Sequence, residues 1–368
     1  MLKVRRGRAA RKVMRDPGSP LQVCLATHHS TRKVMPHFDH VIIGSGQALS
    51  TLLGYLSTTG ESITIIEGDR VVGTAADRGV VDSGPVIEQL LANEAGFRLG
   101  FFFGVLAVMA ALEFAAPRRR QEIPRLLRWT NNITIVVLDT VLVRLAFPVL
   151  AVGLALVAEE RGWGLLQLIQ APGWLAFVIS ILAFDLAIYL QHVMFHAVPA
   201  LWRVHRVHHA DLEFDVTTGF RFHPVEIVLS MGLKLGVVLA LGPPAVAVLV
   251  FEVVLNASSL FNHSNVRIPV AIDRALRWIV VTPDMHRVHH SIHECETNSN
   301  FGFNLPWWDR LLGTYTAQPR ETHEGMTIGV DQFRTRRDLW IDRMLVQPLR
   351  GDAGSYPIHS ESEEEEKS

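Results

Sequence analysis

Long apolar segments constrain the fold of this chain more than any other feature of its sequence. Residues 99–116 carry a single charge, Glu113, across 18 positions, and Arg118, Arg119 and Arg120 follow. An apolar run of this length with a basic flank is typical of a helix that crosses a membrane. The mean hydropathy of the whole chain is positive, at +0.23, which indicates that the chain contains further long apolar segments. We therefore predict an all-α integral membrane protein.

Four further apolar stretches follow, at 133–158, 174–190, 225–241 and 245–261. The Gly-Pro-Pro sequence at 242–244 predicts a tight turn between the last two stretches. The stretch 133–158 contains Asp139, Arg144 and Pro148, so a kinked span and a partly interfacial segment both remain open. We expect four or five membrane helices in total.

Arginine-rich loops separate the apolar stretches, at 118–128, 203–221 and 267–287. If the helices alternate across the membrane, all three loops lie on the same side. Positively charged loops stay in the cytoplasm. We therefore predict a protein of a bacterial inner membrane or an endoplasmic-reticulum type of membrane, with this side facing the cytoplasm. If 133–158 spans once, the residues before Leu99 lie on the other side.

The histidines form a pattern that the apolar segments do not explain. Eleven of the 17 histidines lie between His192 and His293, most of them in three clusters. Spacings of i, i+4 and of i, i+3, i+4 put the rings of each cluster on one face of a helix. The third cluster repeats the five-residue sequence of the second 81 positions later. The clusters are His192 and His196; His205, His208 and His209; and His286, His289 and His290.

The ligand types limit the metals that these clusters could bind. The two cysteines, Cys24 and Cys295, are too far apart in sequence for a thiolate site, and imidazole alone suits iron, copper, zinc or nickel. A zinc peptidase would need the glutamate of H-E-x-x-H, and Val193 stands at that position. Because eight imidazoles exceed what one zinc ion uses, a redox centre of two metal ions fits better. The alternatives are unconnected surface histidines and a non-redox membrane metalloprotein such as a zinc hydrolase.

The three histidine boxes, together with three further blocks, carry a resemblance to a known family. The blocks are Arg-Phe-His-Pro-Val-Glu at 221–226, Phe-Asn-His-Ser-Asn at 261–265 and the segment 304–314 that contains Pro-Trp-Trp-Asp. In these residues the chain resembles the fatty acid hydroxylase and sterol desaturase superfamily of integral-membrane di-iron enzymes. The likeness runs from about residue 98 to residue 347.

The resemblance implies a site and an activity. Two iron ions would be held by the eight box histidines, with His263 as a ninth ligand and His223 as a tenth. The irons would use O2 and electrons from an external donor, a ferredoxin, cytochrome or reductase, to hydroxylate or desaturate a lipid. The lipid would be sterol-like, fatty acyl or carotenoid. We thus expect a helical, histidine-rich di-iron cap on the cytoplasmic side of the membrane helices.

Two polar stripes lead along apolar helices to these histidines. Asp185 and Tyr189 precede His192 and His196 at helical spacing. An aspartate within a membrane span needs a partner, so Asp185 is a candidate for holding a ligand imidazole in its tautomer; a hydrogen bond between helices is the equally favoured alternative.

The second stripe leads to His263 on the last apolar stretch. It consists of Glu252, Asn256 and Ser259, and we take Asn256 as a candidate site residue. A turn at 242–244 would place Lys234 opposite Glu252, which predicts a buried ion pair.

The amino-terminal residues have a different character. Residues 1–37 form a basic arm that we expect to be disordered, and 38–97 hold a degenerate β-α-β fragment and a linker. Val41 to Gly46 and Ile63 to Glu67 resemble the start of the FAD-dependent pyridine nucleotide-disulfide oxidoreductases. Leu49 replaces that family's third glycine, and Ala75 and Val80 replace its redox cysteines, so the resemblance does not imply bound FAD.

Three roles remain open for the fragment: a relic of gene fusion or a mis-set start, a folded interaction appendage, or an electron-delivery module. After the membrane domain at 98–347, residues 348–368 form an acidic tail that we expect to be disordered. Lys and Arg total 35 against 36 for Asp and Glu, which argues against a nucleic-acid partner.

Overall fold

The computed structural model describes residues 85–358 in full and, before them, the backbone of five strands. Residues 1–84 and 85–368 form two separate units. In the first unit, β1 (Arg11–Met14) and β2 (Val23–Ala26) pair antiparallel, within the predicted basic arm.

The second sheet of this unit contains the strands of the predicted β-α-β fragment. Strand β3 (His40–Ile43) runs parallel to β4 (Ile63–Glu67), with His40 opposite Ile63, and β5 (Arg70–Thr74) lies antiparallel to β4. The parallel pair has the strand order of a β-α-β unit. The glycine turn at 44–46, Leu49, the cysteine-replacing positions and the acidic residues after 358 lie outside the described residues.

The described part of the second unit consists of helices joined by loops and contains no strand, as the sequence predicts. Its α-helices are α1 (Pro85–Ala92), α2 (Glu94–Ala115), α3 (Arg125–Ala146), α4 (Ala151–Arg161), α5 (Leu165–Leu168), α6 (Gly173–Ala197), α7 (Pro199–His209), α8 (Pro224–Leu241), α9 (Ala245–Asn262), α10 (Val270–Leu276), α11 (Pro283–His289), α12 (Glu294–Thr297), α13 (Trp307–Leu312) and α14 (Ile341–Val346). Three 3₁₀ turns, Val216–Phe220, Arg336–Leu339 and Gln347–Leu349, complete it.

Five segments are long and apolar enough to cross a membrane: Glu94–Ala115, Arg125–Leu168, Gly173–Ala197, Pro224–Leu241 and Ala245–Asn262. This number confirms the predicted four or five membrane helices. The second segment is broken, because α3 ends at Ala146 and α4 begins at Ala151. Pro148 explains the break, since it has no N–H and disfavours a helical residue before it; Phe147 is accordingly extended. The structure therefore shows the kink that the first of the two alternatives predicts.

Close backbone contact defines the end of the bundle opposite the histidines. Gly242 ends α8 with φ +64°, and Gly164 before α5 has φ +93°. A Cβ on Gly242 would lie 2.1 Å from the carbonyl oxygen of Trp163, so only glycine permits this approach. The tight turn predicted at 242–244 is present.

The three arginine-rich connections lie at the histidine end. The amide of Arg118 after α2 donates to Asn265 O after α9 (2.8 Å), and Arg128 in the first turn of α3 binds Asp211 after α7. Helix α2 has 22 residues and is therefore about 33 Å long, so its first residue lies at the opposite end of the bundle. This arrangement agrees with the predicted placement of all three loops on one side.

Candidate metal centre

Nine buried histidines converge at the end of the helical bundle. They form two groups, and within each group the candidate ligand atoms lie within 4.8 Å of one another. The five-histidine group consists of His192, His196, His205, His209 and His289, and the four-histidine group consists of His208, His263, His286 and His290. All eight box histidines and His263 are therefore brought together.

Adjacent histidines point to different groups. His208 belongs to the four-histidine group and His209 to the five-histidine group, whereas His289 and His290 divide the other way round. Successive residues of a helix differ by about 100° in direction, so a His-His pair presents its rings to two neighbouring positions. Each of the two repeated boxes thus contributes to both groups.

Hydrogen bonds at Nδ1 fix the tautomers of four of the histidines. His192 donates to Phe301 O (2.8 Å), His289 to Ser299 O (2.7 Å) and His263 to Ser259 O (2.8 Å). His205 donates to the carboxylate of Glu226 (2.7 Å). A neutral imidazole carries one proton, so each of these rings has a lone pair at Nε2.

These lone pairs face one another. The Nε2 atom of His192 lies 3.0 Å from that of His289 and 3.1 Å from that of His205. Two acceptors at this distance repel unless a cation lies between or beside them. The buried Nε2 atoms of His196, His209 and His290 also have no hydrogen-bond partner among the described residues. The donor set therefore fits metal ions, which imidazole nitrogens without thiolates hold well.

Burial keeps the rings neutral. It lowers the pKa of His205 to about 3 and holds the pKa of His209 and His290 well below the ordinary value, in part because neighbouring histidines would repel a second charge. A neutral ring is the form that binds a metal.

His223 is the one predicted ligand that the structure places elsewhere. Its Nδ1 accepts from the amide of Val225 (3.2 Å), and its Nε2 donates to Leu345 O (3.2 Å). The ring thus caps the first turn of α8, where backbone N–H groups lack helical partners. His223 therefore stabilises the start of α8 and belongs to neither histidine group.

Asp185 and Tyr189 contact the segment after α12 and not a histidine. Asp185 accepts from Asn304 Nδ2 (2.7 Å) and Trp308 Nε1 (2.8 Å), and the Tyr189 hydroxyl lies 2.8 Å from Thr314 Oγ1. Asp185 therefore forms hydrogen bonds to another part of the fold, as the second of its two predicted roles requires, and does not touch a histidine. Asp185 acts on His192 indirectly, because it anchors the segment whose Phe301 carbonyl accepts the hydrogen bond from His192.

Asp309 fixes that segment directly. Its carboxylate accepts from the amides of Phe301 (2.7 Å) and Gly302 (2.9 Å) and from Thr314 Oγ1 (2.8 Å). Burial raises the pKa of Asp309 to about 6 although these donors act to lower it. The conformation of this turn sets where the Phe301 carbonyl meets His192.

Two acidic residues near the histidines, Glu226 and Asp309, were not predicted as site residues from the sequence. Glu226 had a local signal, because it is an acid in the first turn of an otherwise apolar membrane helix and closes the block 221–226. Asp309 was within the quoted block 304–314, but its partners lie seven and eight residues away and could not be assigned from spacing.

A buried ion network supports the loop after the second box. Arg128 binds both carboxylate oxygens of Asp211 (2.8 Å each), the carboxylate of Asp215 and Thr218 Oγ1 (3.0 Å). Asp211 is two residues beyond His209. Because the bidentate pair fixes that residue, it also fixes the end of α7, whose last two turns carry three of the nine histidines, His205, His208 and His209.

The predicted ion pair within the membrane helices is also present. Lys234 Nζ lies 3.1 Å from Glu252 Oε1, and Arg98 lies 2.8 Å from the other oxygen of the same carboxylate. All three residues line a cavity of about 300 Å³. The wall of this cavity also includes Asn256 and, from the five-histidine group, His192 and His205.

We expect Glu226→Ala to weaken metal binding by the five-histidine group without unfolding the protein. The carboxylate orients the His205 ring and increases its basicity, and losing such a partner costs about 10-fold to 100-fold in metal affinity. Competition with a graded chelator on the purified protein measures this change. Glu226→Gln keeps an acceptor for His205 Nδ1 and is the matched control, with a smaller loss. Equal affinity in the alanine variant and the wild type would contradict the assignment.

These features define a membrane protein with two buried histidine groups suited to metal ions. Residues 177–314 match the model of the fatty acid hydroxylase family. This part of the chain is similar to the fatty acid hydroxylase family, which confirms the resemblance to the fatty acid hydroxylase and sterol desaturase superfamily.

Curated relatives match the same region. The ornithine lipid hydroxylase of Rhizobium tropici is 32% identical over 151 residues, 41% of this chain and 45% of the relative. The alkylglycerol monooxygenase of Xenopus tropicalis is 26% identical over 182 residues, 46% of this chain and 38% of the relative. The cholesterol 25-hydroxylase of Homo sapiens is 31% identical over 142 residues, 37% of this chain and 50% of the relative. The chain thus spans half or less of the length of these relatives, and no solved structure matches it.

Proposed function

We propose that this protein is a membrane-bound, non-haem di-iron oxidoreductase that hydroxylates or desaturates a lipid. The observation that carries the proposal is the pair of buried, all-imidazole groups, one of which opens onto a cavity among the membrane helices. An apolar molecule can enter such a cavity from the bilayer without crossing water. The proposed site consists of the nine histidines of the two groups, and His223 is left out of it.

The names of the relatives support hydroxylation as the first reaction to test. In that reaction a C–H bond of the lipid and one O2 give an alcohol and water, with two electrons and two protons from outside. In desaturation, two C–H bonds, one O2, two electrons and two protons give an alkene and two waters. Two irons would supply the O2 chemistry, and the electrons would come from a ferredoxin, a cytochrome or a reductase.

The residues of the chain hold the site and keep it dry. Nine neutral imidazoles converge without a thiolate or carboxylate among them, while Glu226 and the carbonyls of Phe301, Ser299 and Ser259 orient four of the rings. Phe222 stacks on His208 with ring centroids 4.4 Å apart, and Phe301 packs against His196 at 5.1 Å. These aromatic rings exclude water from the proposed reaction site.

We further propose that the histidine end faces the cytoplasm, since the three arginine-rich loops lie there. Asp185, Tyr189 and Asn256 are proposed as positioning residues. The first two hold the segment that meets His192, and Asn256 lies in the cavity wall. The domain boundaries proposed from the sequence, 98–347 for the enzyme domain with a separate amino-terminal fragment and acidic tail, remain part of the same proposal.

Metal analysis combined with lipid turnover tests the function. We expect two irons per chain and an O2-dependent lipid product that requires an added reductant, found by mass spectrometry of lipids with and without the protein. The competing function is a non-redox metalloprotein such as a zinc hydrolase. A single zinc ion and a product that forms without O2 or reductant would establish that competitor instead.

A chain that begins at Pro85 should retain metal and activity when an artificial reductant supplies the electrons. Pro85 is the better starting point than Arg98, because Leu90 and Leu91 of α1 pack against the core formed by α4, α6 and α9. Turnover and flavin content of the shortened and the full chain are the measurements. Flavin bound only by the full chain, with activity that depends on it, would instead identify residues 1–84 as an electron-delivery module.

A further inference from the structure

The cavity beside the five-histidine group has one feature that an apolar ligand does not explain. Asp139 of α3 lies in its wall, and the side chain of Asp139 is only 4% exposed. In the described part of the chain no side chain or amide donates a hydrogen bond to this carboxylate, and its Oδ1 atom is buried without a partner. Buried carboxylates in folded proteins almost always have a donor or a cation nearby.

Three cations line the same cavity, and among the described residues none of them pairs with Asp139. Lys234 and Arg98 both bind Glu252, whose two oxygens are thereby satisfied, and Arg144 forms no ion pair with Asp139. Glu226, on the neighbouring helix α8, is close enough to Asp139 for its charge to act on it, and Glu226 in turn accepts from His205. Asp139 therefore faces the cavity near the five-histidine group, where a molecule that fills the cavity can supply the missing partner.

We propose that Asp139 is a specificity-determining residue that accepts a hydrogen bond from a hydroxyl, amide N–H or ammonium group of the lipid substrate. The inference rests on the proposed function and deepens it, because it names the class of lipid. The substrate is a polar lipid whose donor group lies near the C–H bond that is oxidised, since Asp139, His192 and His205 share one cavity of about 300 Å³. A hydrocarbon or a lipid without O–H or N–H groups leaves the carboxylate unpaired and binds poorly.

Three variants of the full chain test this role. Asp139→Leu removes the acceptor and replaces it with an apolar side chain of similar length. Asp139→Asn keeps an acceptor oxygen. Thr140→Val is the matched control, because Thr140 also lines the cavity but its hydroxyl already donates to Val136 O (2.7 Å). Each protein is purified from the same membranes, and its bound metal, its co-purified lipids and the oxygenated lipids of the host cells are measured by mass spectrometry.

We expect the wild type and Thr140→Val to co-purify lipids that carry O–H or N–H donors. Asp139→Leu should lose these lipids and their oxygenated products by roughly tenfold, at unchanged metal content, since a hydrogen bond to a buried acceptor is lost. Asp139→Asn should retain most of the binding. If the leucine variant does not fold, Asp139→Ala, which is smaller and cannot clash with the wall, takes its place.

Two results would overturn the proposal: equal amounts of the same lipids and products in Asp139→Leu and the wild type, or a wild-type ligand without any donor group. The proposed function fails in a different way, when the wild type and an inactive His290→Ala variant leave the same lipids in the cells. The co-purified lipids then still test Asp139, because they do not depend on turnover.

Discussion

His290→Asn will reduce the bound metal from two ions per chain towards one and abolish lipid oxidation. His290 belongs to the four-histidine group, where both of its ring nitrogens lack a hydrogen-bond partner in the described protein. Three donors remain after the change, and the five-histidine group is untouched. Activity is lost because the proposed reaction needs both ions. Metal analysis and O2-dependent turnover of the purified protein measure the two effects.

His223→Asn is the matched control for this variant. Both substitutions replace a buried histidine next to the site by the same residue, but asparagine is itself a good helix cap and can replace His223 at the start of α8. We expect His223→Asn to keep two ions and most of the activity. Loss of one ion from this variant would restore His223 as a ligand, and two ions retained in His290→Asn would contradict the four-histidine group.

Arg128→Met will destabilise the protein by about 3–5 kcal/mol, because it leaves buried carboxylates without their cation. Arg128 is fully buried, and so are Asp211 and Asp215, which it binds. The guanidinium holds the pKa of Asp211 at about 2 although burial alone would raise it. Asp211 is therefore charged at neutral pH, and its charge must find another partner or draw water into the loop.

The thermal unfolding midpoint in detergent measures this loss, and we expect it to fall on the order of 10 °C. Arg125→Met is the control, since Arg125 lies one turn earlier on α3, is partly exposed, and binds no buried carboxylate in the described part of the chain; it donates to Gln121 and contacts Phe114. Adding Asp211→Asn to Arg128→Met should recover part of the stability by removing the stranded charge. Equal midpoints for the two arginine variants would show that the network contributes no stability.

Local spacing was enough to predict most of the site. The box histidines were identified because the i, i+3, i+4 spacing on a helix places rings together whatever the rest of the fold does. The division of His208 from His209 and of His289 from His290 between two groups was not predicted, because it depends on how α7 and α11 face each other across the bundle.

Contacts across long stretches of chain were beyond the sequence. Asp185 was correctly singled out as an aspartate that needs a partner, but Asn304 lies 119 residues away and nothing in the spacing indicated it. His223 was named as a ligand only through the family resemblance, and its role as the cap of α8 depends on a contact with Leu345 that lies 122 residues away. The five membrane segments were predictable because bilayer thickness imposes their length.

Each His-His pair divides its two rings between the two groups, and this division limits how far apart the groups can lie. On α7 and on α11, neighbouring Cα atoms about 3.8 Å apart carry rings to different groups. The separation of the two groups is thus set by one peptide unit on each of two helices, and not by the loops around them. Insertions or movements in those loops can reshape the cavity among the membrane helices while the spacing of the two histidine groups stays constant. Under the proposed function, one constant centre would in this way serve many lipids.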